Sequence, residues 1–440
     1  MPINKPLHLM RLGVHAEQKY FELNKDKFDI VVFNANLAHH FASGTATLMT
    51  SKLNGKKFII DPITHAYGHH PRYIMTVSKD GSLPKIKSSL ESLAYEYGPP
   101  ISTAVSNGRQ VSPNDFSSIK PIEQFAKSVI DFQANFLASA IDPSDRKYIT
   151  LADIDAALKP DFLIAPYFYM KSTTINDWLE INTKLVAASK KVADDSNLYA
   201  EIVIDRGILD NDAELTKIAT AYLALAVCDG YLLWISDLSE HQSSWSTLCG
   251  LRKLVGILAQ SKKPVINLYG GYYSLLLFRF GLTGVCHGPG YGEDRDVIPV
   301  GGGLPVSKYY LNPVHQRLLF RDVQFMVAGD VWRNIEDFYN EVCSGPICQD
   351  VLSGDLENFI KFGEENVREN KGRTYSYPTT EARYLTTQHY LEAKAKEFND
   401  VAEKDLKVLI EQLKEAKGRY DKEMPGAQLR YLDTWVAALQ

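Results

Sequence analysis

The chain has 440 residues, 45% hydrophobic and 23% charged, a globular composition that can bury a large core without disulfides. Its 48 Lys+Arg against 53 Asp+Glu leave a formal net charge of −5, which excludes a global positive field for collecting nucleic acid; any such contact needs a local patch. Cys228, Cys249, Cys286, Cys343 and Cys348 form an odd set without a framework, no apolar leader opens the sequence, and no apolar run approaches the roughly 20 residues of a membrane span. The expectation is a cytoplasmic protein that does not enter membranes.

In chain order, short apolar runs rich in β-branched and aromatic residues recur at 29–36, 57–63, 161–167, 199–205, 230–236, 264–269, 283–287 and 306–311. Each ends in polar residues or glycine, the signal of buried parallel strands. Amphipathic stretches at 178–193, 213–227 and 246–260 separate several of them with helical spacing. Eight strand–helix alternations with right-handed crossovers bring the last strand back to the first, which predicts a (β/α)8 barrel; an open doubly wound sheet is the alternative.

One interval is far longer than the rest. After the second predicted strand comes an insertion at about 71–120, rich in Gly, Pro and Ser over 79–117, then a helical pattern over 122–140. Its place predicts an excursion over the barrel mouth, of the kind that forms lids and binding loops. Beyond 311 the pattern is helical: 313–328, 331–342, 355–365, and an Ala/Glu/Lys/Leu-rich stretch over 381–420 that reads as one long amphipathic helix. The predicted division is a barrel over 1–330 and a helical extension over 331–440, whose helices offer a surface for a protein partner or a second copy.

Barrel chemistry sits at the C-terminal strand ends, and these ends are crowded with polar groups. Asn34 and Asn36 end the first predicted strand, with His39 and His40 behind them; Asp61 ends the second and leads into His65, His69 and His70; Glu201 and Asp205 lie in the fourth, Asp237 follows the fifth, and Asn267 and Tyr269 end the sixth. Any one Asp or Asn here can simply cap the next helix, as suits Asp205 and Asp237. Asp61 is harder to assign to capping, because a carboxylate beside imidazole can act as a base or orient a neutral histidine. His65, His69 and His70 have spacing usable by zinc, but Gly68 and Pro71 argue for a loop, so hydrogen-bonding lid residues are the preferred reading and a metal-dependent hydrolase the alternative.

The densest local signal is the run from Gly284 through His287, Glu293 and Arg295 to Gly301, Gly302 and Gly303, with Lys308 beyond. Glycines let backbone amides approach an anion and Arg295 and Lys308 supply charge, so the run predicts a phosphate-holding loop; no Walker or dinucleotide fingerprint is present. The predicted catalytic set is Asp61, His65, Asp205 and His287. The predicted ligand-binding set is Asn36, Asp237, Asn267, Tyr269, Glu293, Arg295, Gly301, Gly302, Gly303 and Lys308, with no metal and no cofactor.

The tail contains Cys343-Ser-Gly-Pro-Ile-Cys348, a helical stretch at 355–365, and Thr387-Gln388-His389-Tyr390-Leu391. This order resembles the appendage of tRNA-guanine transglycosylases, barrels that carry a three-cysteine, one-histidine zinc site. The resemblance implies a diverged member that handles a nucleobase or nucleoside, or serves as a partner subunit. The family's Asp-Ser-Gly-Gly-Phe-Gln and Pro-Thr-Arg segments are absent, and only two of its three cysteines are present, so no metal is expected there.

These features together predict an enzyme that transfers or hydrolyses the glycosidic bond of a nucleoside, nucleotide or nucleic-acid base. Asp61 or Asp205 would be nucleophile or base, and His65 and His287 would carry protons. Carboxylates suit a transition state with oxocarbenium character. The alternative is a barrel without catalysis that acts in recognition or assembly.

Overall fold

The structure is a computed structural model that describes residues 5–13, 17–76, 85–141, 158–289, 292–298, 307–362, 366–370, 372–377, 379–424 and 429–440. Two compact units are present, one spanning 7–288 with 292–301 and the other mainly 302–440.

The first unit is a (β/α)8 barrel. Its strands are β1 (Leu7–Leu12), β2 (Ile30–Asn34), β3 (Lys57–Asp61), β4 (Leu163–Ile164), β5 (Leu198–Asp205), β6 (Gly230–Ser236), β7 (Val265–Asn267) and β8 (Gly284–His287). They pair in the order β3-β2-β1-β8-β7-β6-β5-β4, every ladder parallel. The ring is nearly closed, with Asp161 N–H donating to the Phe58 carbonyl between the two remaining edges. Alternate residues point inward, and Leu9, Ile30, Val32, Ile59, Ile164, Val203, Leu232, Trp234, Ile266 and Cys286 fill the interior as one apolar cluster.

The count of eight strands holds, but its membership differs from the expectation at both ends. β1, with the sequence LHLMRL, is a barrel strand that the His8 and Arg11 interruptions conceal. The predicted eighth strand at 306–311 belongs instead to the other unit, where Lys308–Leu311 pairs antiparallel with Gln316–Leu319. That pairing also corrects the helix expected over 313–328, which begins only at Phe320. The long excursion therefore follows β3, the third barrel strand. It contains helices Ser88–Tyr97, Ile101–Ser106 and Ile119–Ser139.

Helices Ile175–Lys190, Asp212–Leu223 and Trp245–Ala259 cover the barrel where the 3.6-residue spacing places them. Asn211 and Ser244 cap the last two through Glu214 N–H and Thr247 N–H. Trp245–Ala259 packs so closely on the Arg206–Asp210 turn that a Cβ at Gly250 would strike the Leu209 carbonyl. Gly250→Ala should cost about 1–3 kcal/mol in denaturant-unfolding stability, since neither backbone can yield without disturbing the core.

In the second unit the predicted long helix is two, Thr380–Glu403 and Leu406–Tyr420, broken at Lys404 and Asp405. Glu397 is buried there between Lys394 Nζ at 2.9 Å and His315 Nδ1 at 2.6 Å, with the Tyr310 hydroxyl donating at 2.6 Å, so its charge is compensated inside the helical layer. Among the described residues, no helix is long and apolar enough to cross a membrane.

Candidate functional site

Strand parity decides which polar residues reach the barrel interior. On β1 the inward series is Leu9 then Arg11; on β2, Val32 then Asn34; on β3, Ile59 then Asp61; on β5, Tyr199, Glu201 and Val203. Arg11, Asp61, Glu201, Tyr167 and Tyr269 are all buried, with Asp61 at 0% and Glu201 at 1% exposure, and form a polar layer inside an apolar ring.

The layer holds one cation and two carboxyl groups. Arg11 Nη1 donates to Asp61 Oδ2 at 2.9 Å and also to Asn34 Oδ1, while the guanidinium lies 4.7 Å from the Tyr269 ring centre. Asp61 Oδ1 accepts from the Tyr167 hydroxyl at 2.6 Å and from Ile63 N–H at 3.0 Å. Glu201 lies beside the Tyr167 hydroxyl, which donates to Asp61 instead, and neither Glu201 oxygen takes up a full hydrogen bond. Burial, and then the Asp61 charge, push the Glu201 carboxyl well above the usual carboxylate range, with Arg11 opposing. One guanidinium in a dry interior balances one carboxylate: Arg11 pairs with Asp61 and leaves Glu201 without a counter-ion, an arrangement that favours its neutral form.

Above this layer sits His65, stacked on Tyr167 with ring centres 5.4 Å apart and edge-on to Trp234 at 4.6 Å. Burial holds it neutral, reinforced by His69, Arg295 and Arg11, and its Nδ1 has no hydrogen-bond partner. Burial and then Lys171 likewise bring His69 down to about 4. Both histidines line a cavity of about 430 Å³ shared with His70, Tyr169, Lys171 and Trp178, whose mouth is formed by the loops after β3 and β4.

The segment 292–298 closes over the polar layer. Trp234 Nε1 and Asp237 N–H both donate to the Arg295 carbonyl, at 3.1 Å each. Ser236 Oγ donates to Asp296 Oδ1 at 3.1 Å, and Val297 N–H donates to Ser236 Oγ at 3.2 Å, which seats Val297 in the barrel cluster. Arg295 spans the Trp234 and Tyr269 rings and donates to the Tyr269 hydroxyl at 3.1 Å.

Of the predicted catalytic residues, Asp61 and His65 belong to this neighbourhood. Asp205 lies at the rim, where its Oδ2 accepts the Tyr169 hydroxyl at 2.7 Å and its Oδ1 caps Gly207 N–H at 2.9 Å. His287 points outward from β8, its neighbour Cys286 being the inward residue, and its Nε2 is 2.8 Å from that of His8 on the outer side of β1.

The predicted ligand-binding residues scatter similarly. Tyr269 is in the polar layer. Asn267 faces outward, donating to Ser274 Oγ at 2.8 Å. Asn36 lies in the helix Ala35–His40, two residues beyond the Asn34 that contacts Arg11. Asp237 is exposed with φ 56°. Glu293 is part-buried near Gly271, opposite Glu240. Burial raises Glu240 to about 7 while the N–H groups of Gly271, Tyr273 and Ser274 donate to it. Arg295 is at the closing segment, Lys308 is exposed in the second unit, and Gly301, Gly302 and Gly303 lie outside the described residues. Among the described residues, His65, His69 and His70 do not converge as a three-ligand metal group.

Sequence reasoning missed Arg11 and passed over Glu201. The available signal was a charged residue set between apolar neighbours of the same strand parity.

No family model matches the chain, and no curated protein matches it. Solved structures do match at low similarity. A xylanase of Thermoanaerobacterium saccharolyticum JW/SL-YS485 is 9% identical over 67% of this chain and 86% of its own, with a TM-score of 0.36. The xylanase XynB of Paenibacillus barcinonensis is 10% identical over 64% and 83%, at 0.35, and a putative fructose-1,6-biphosphate aldolase of Coccidioides immitis is 8% identical over 81% and 86%, at 0.31. The likeness to tRNA-guanine transglycosylases does not stand, since no family model, that family's included, matches the chain. The tail order that prompted it spans two cysteines and a histidine, too little to specify a family.

Proposed function

We propose that the barrel is an acid–base enzyme that cleaves or transfers a glycosidic bond, with Glu201 as general acid and Asp61 as the facing anion. The observation that supports this reading is Glu201, fully buried without a counter-ion, beside an Asp61 paired with Arg11 in one layer, where burial pushes the Glu201 carboxyl well above the usual range. Protonation of a leaving oxygen needs a carboxyl that keeps its proton at neutral pH, and an oxocarbenium-like transition state needs a fixed negative charge. A Glu201 carboxyl raised by burial and an Asp61 paired with Arg11 suit these two demands.

The cavity beside His65 and His69 is the approach for the substrate, and the closing segment 292–298 must lift for a sugar ring to reach Glu201. A nucleobase has no support in the comparisons, so the proposal is confined to the bond type. Glu201→Gln is expected to lower turnover of an unactivated glycoside by about 10²–10⁴-fold. A nitrophenyl glycoside, whose leaving group needs no proton, should lose much less. Equal losses on both substrates would remove Glu201 from the acid role.

The complete burial of Asp61 and its engagement by Arg11, Tyr167 and Ile63 favour a second reading, a non-catalytic barrel in which the layer is structural. In that case Asp61→Asn and Glu201→Gln leave cellular function intact whenever the fold survives.

A further inference from the structure

We propose that Cys343, Cys348 and His389, completed by Glu392, bind one zinc ion in the second unit. The donor atoms of the two cysteines and the histidine lie within 4.8 Å of one another, all three residues buried. Cys348 Sγ is 3.3 Å from His389 Nδ1. Zinc bonds of about 2.0–2.3 Å in a tetrahedron place ligand atoms somewhat under 4 Å apart, so small side-chain shifts close this set around an ion.

The surroundings orient the donors toward a common point. His389 Nε2 is 2.6 Å from the Tyr310 carbonyl, which fixes the proton on Nε2 and turns the Nδ1 lone pair to the thiols. Tyr309 stacks on the imidazole at 4.0 Å and 5°, and its hydroxyl is 3.4 Å from Cys348 Sγ, which locks the ring and supports the sulfur. Gly345 N–H donates to Cys343 Sγ at 3.3 Å. Such carbonyl, aromatic and amide partners are what metal-bound histidine and cysteine use to hold their geometry.

The fourth donor we assign is a carboxylate in place of a thiol, Glu392, which lies outside the close three-atom group and turns inward to join it. Glu392 follows His389 by three residues in the helix Thr380–Glu403, so both project from one face. A Cβ at Gly345 would collide with Glu392 Oε2 and lie 3.2 Å from Cys343 Sγ, which puts the carboxylate and the sulfur against the same small space that glycine leaves open. Two soft sulfurs with one nitrogen and one oxygen suit zinc, and a hard oxygen-seeking cation such as magnesium would not choose them. The count of two cysteines led to the expectation of no metal; the carboxylate supplies what that count lacked. This inference does not depend on the proposed activity of the barrel.

The test is metal analysis of the full chain produced with zinc, followed by chelation and refilling with cobalt(II). About one zinc per chain and a cobalt–thiolate charge-transfer band are expected. Cys348→Ser should lose the band, and Glu392→Gln should keep it while weakening zinc binding by about 10–100-fold. A chain that takes up neither metal, and whose thermal midpoint zinc does not move, overturns the site. Zinc bound equally well by Glu392→Gln removes Glu392 from it. Because uptake is read on the wild-type chain, the result stands even if Cys348→Ser fails to fold.

Discussion

Arg11→Ala is expected to destabilise the protein by about 3–5 kcal/mol, because it strands the Asp61 carboxylate in the barrel interior without its cation. Asp61 would retain only the Tyr167 hydroxyl and Ile63 N–H, which cannot neutralise a charge cut off from water. The pair itself need not be a net source of stability, since taking both charges out of water costs about what their attraction returns. Arg11→Met combined with Asp61→Leu should therefore recover most of the loss. Denaturant unfolding of the two single variants and the double variant measures this. A loss below about 1 kcal/mol for Arg11→Ala would mean the pair is solvated, contrary to its burial.

The second large effect is a pH dependence removed by Glu201→Gln. The folded protein holds the Glu201 carboxyl well above its unfolded value, chiefly through burial. The protonated form is thus favoured by folding. Its contribution is complete below the unfolded carboxyl range near pH 4.5 and is lost progressively as pH rises from there toward the folded value. Each unit of upward shift corresponds to about 1.4 kcal/mol lost once pH exceeds both values. Glu201→Gln cannot ionise, so its stability relative to wild type should rise between pH 4.5 and pH 8. A difference that stays flat over that range would mean that Glu201 titrates as an ordinary surface carboxyl.

The architecture was legible because apolar strands and amphipathic helices alternate with little ambiguity between β2 and β8. What escaped were the places where buried polar residues interrupt the pattern. β1 reads poorly because His8 and Arg11 break its apolar run, yet Arg11 is the cation of the polar layer. Its loss from the count made 306–311 the replacement, a stretch whose Tyr309 and Tyr310 are buried in the helical unit. Parity was the other missing constraint. Asn267 and His287 sit at strand ends as expected, but their neighbours Ile266, Leu268 and Cys286 occupy the interior, so both side chains face the outer helices. The same counting selects Asn34, Asp61 and Glu201 on their strands. The donors at Cys343, Cys348 and His389 come from two segments far apart in sequence that the packing of the helix Thr380–Glu403 against the helix Pro346–Leu352 brings together.

Glu201 is expected to carry its proton at neutral pH beside the Arg11–Asp61 pair. Infrared difference spectroscopy of wild type against Glu201→Gln at pH 7 tests it without knowledge of the substrate. A protonated-carboxyl carbonyl band present only in wild type is predicted. Loss of carboxylate bands in its place would show Glu201 ionised and remove it from the role of general acid.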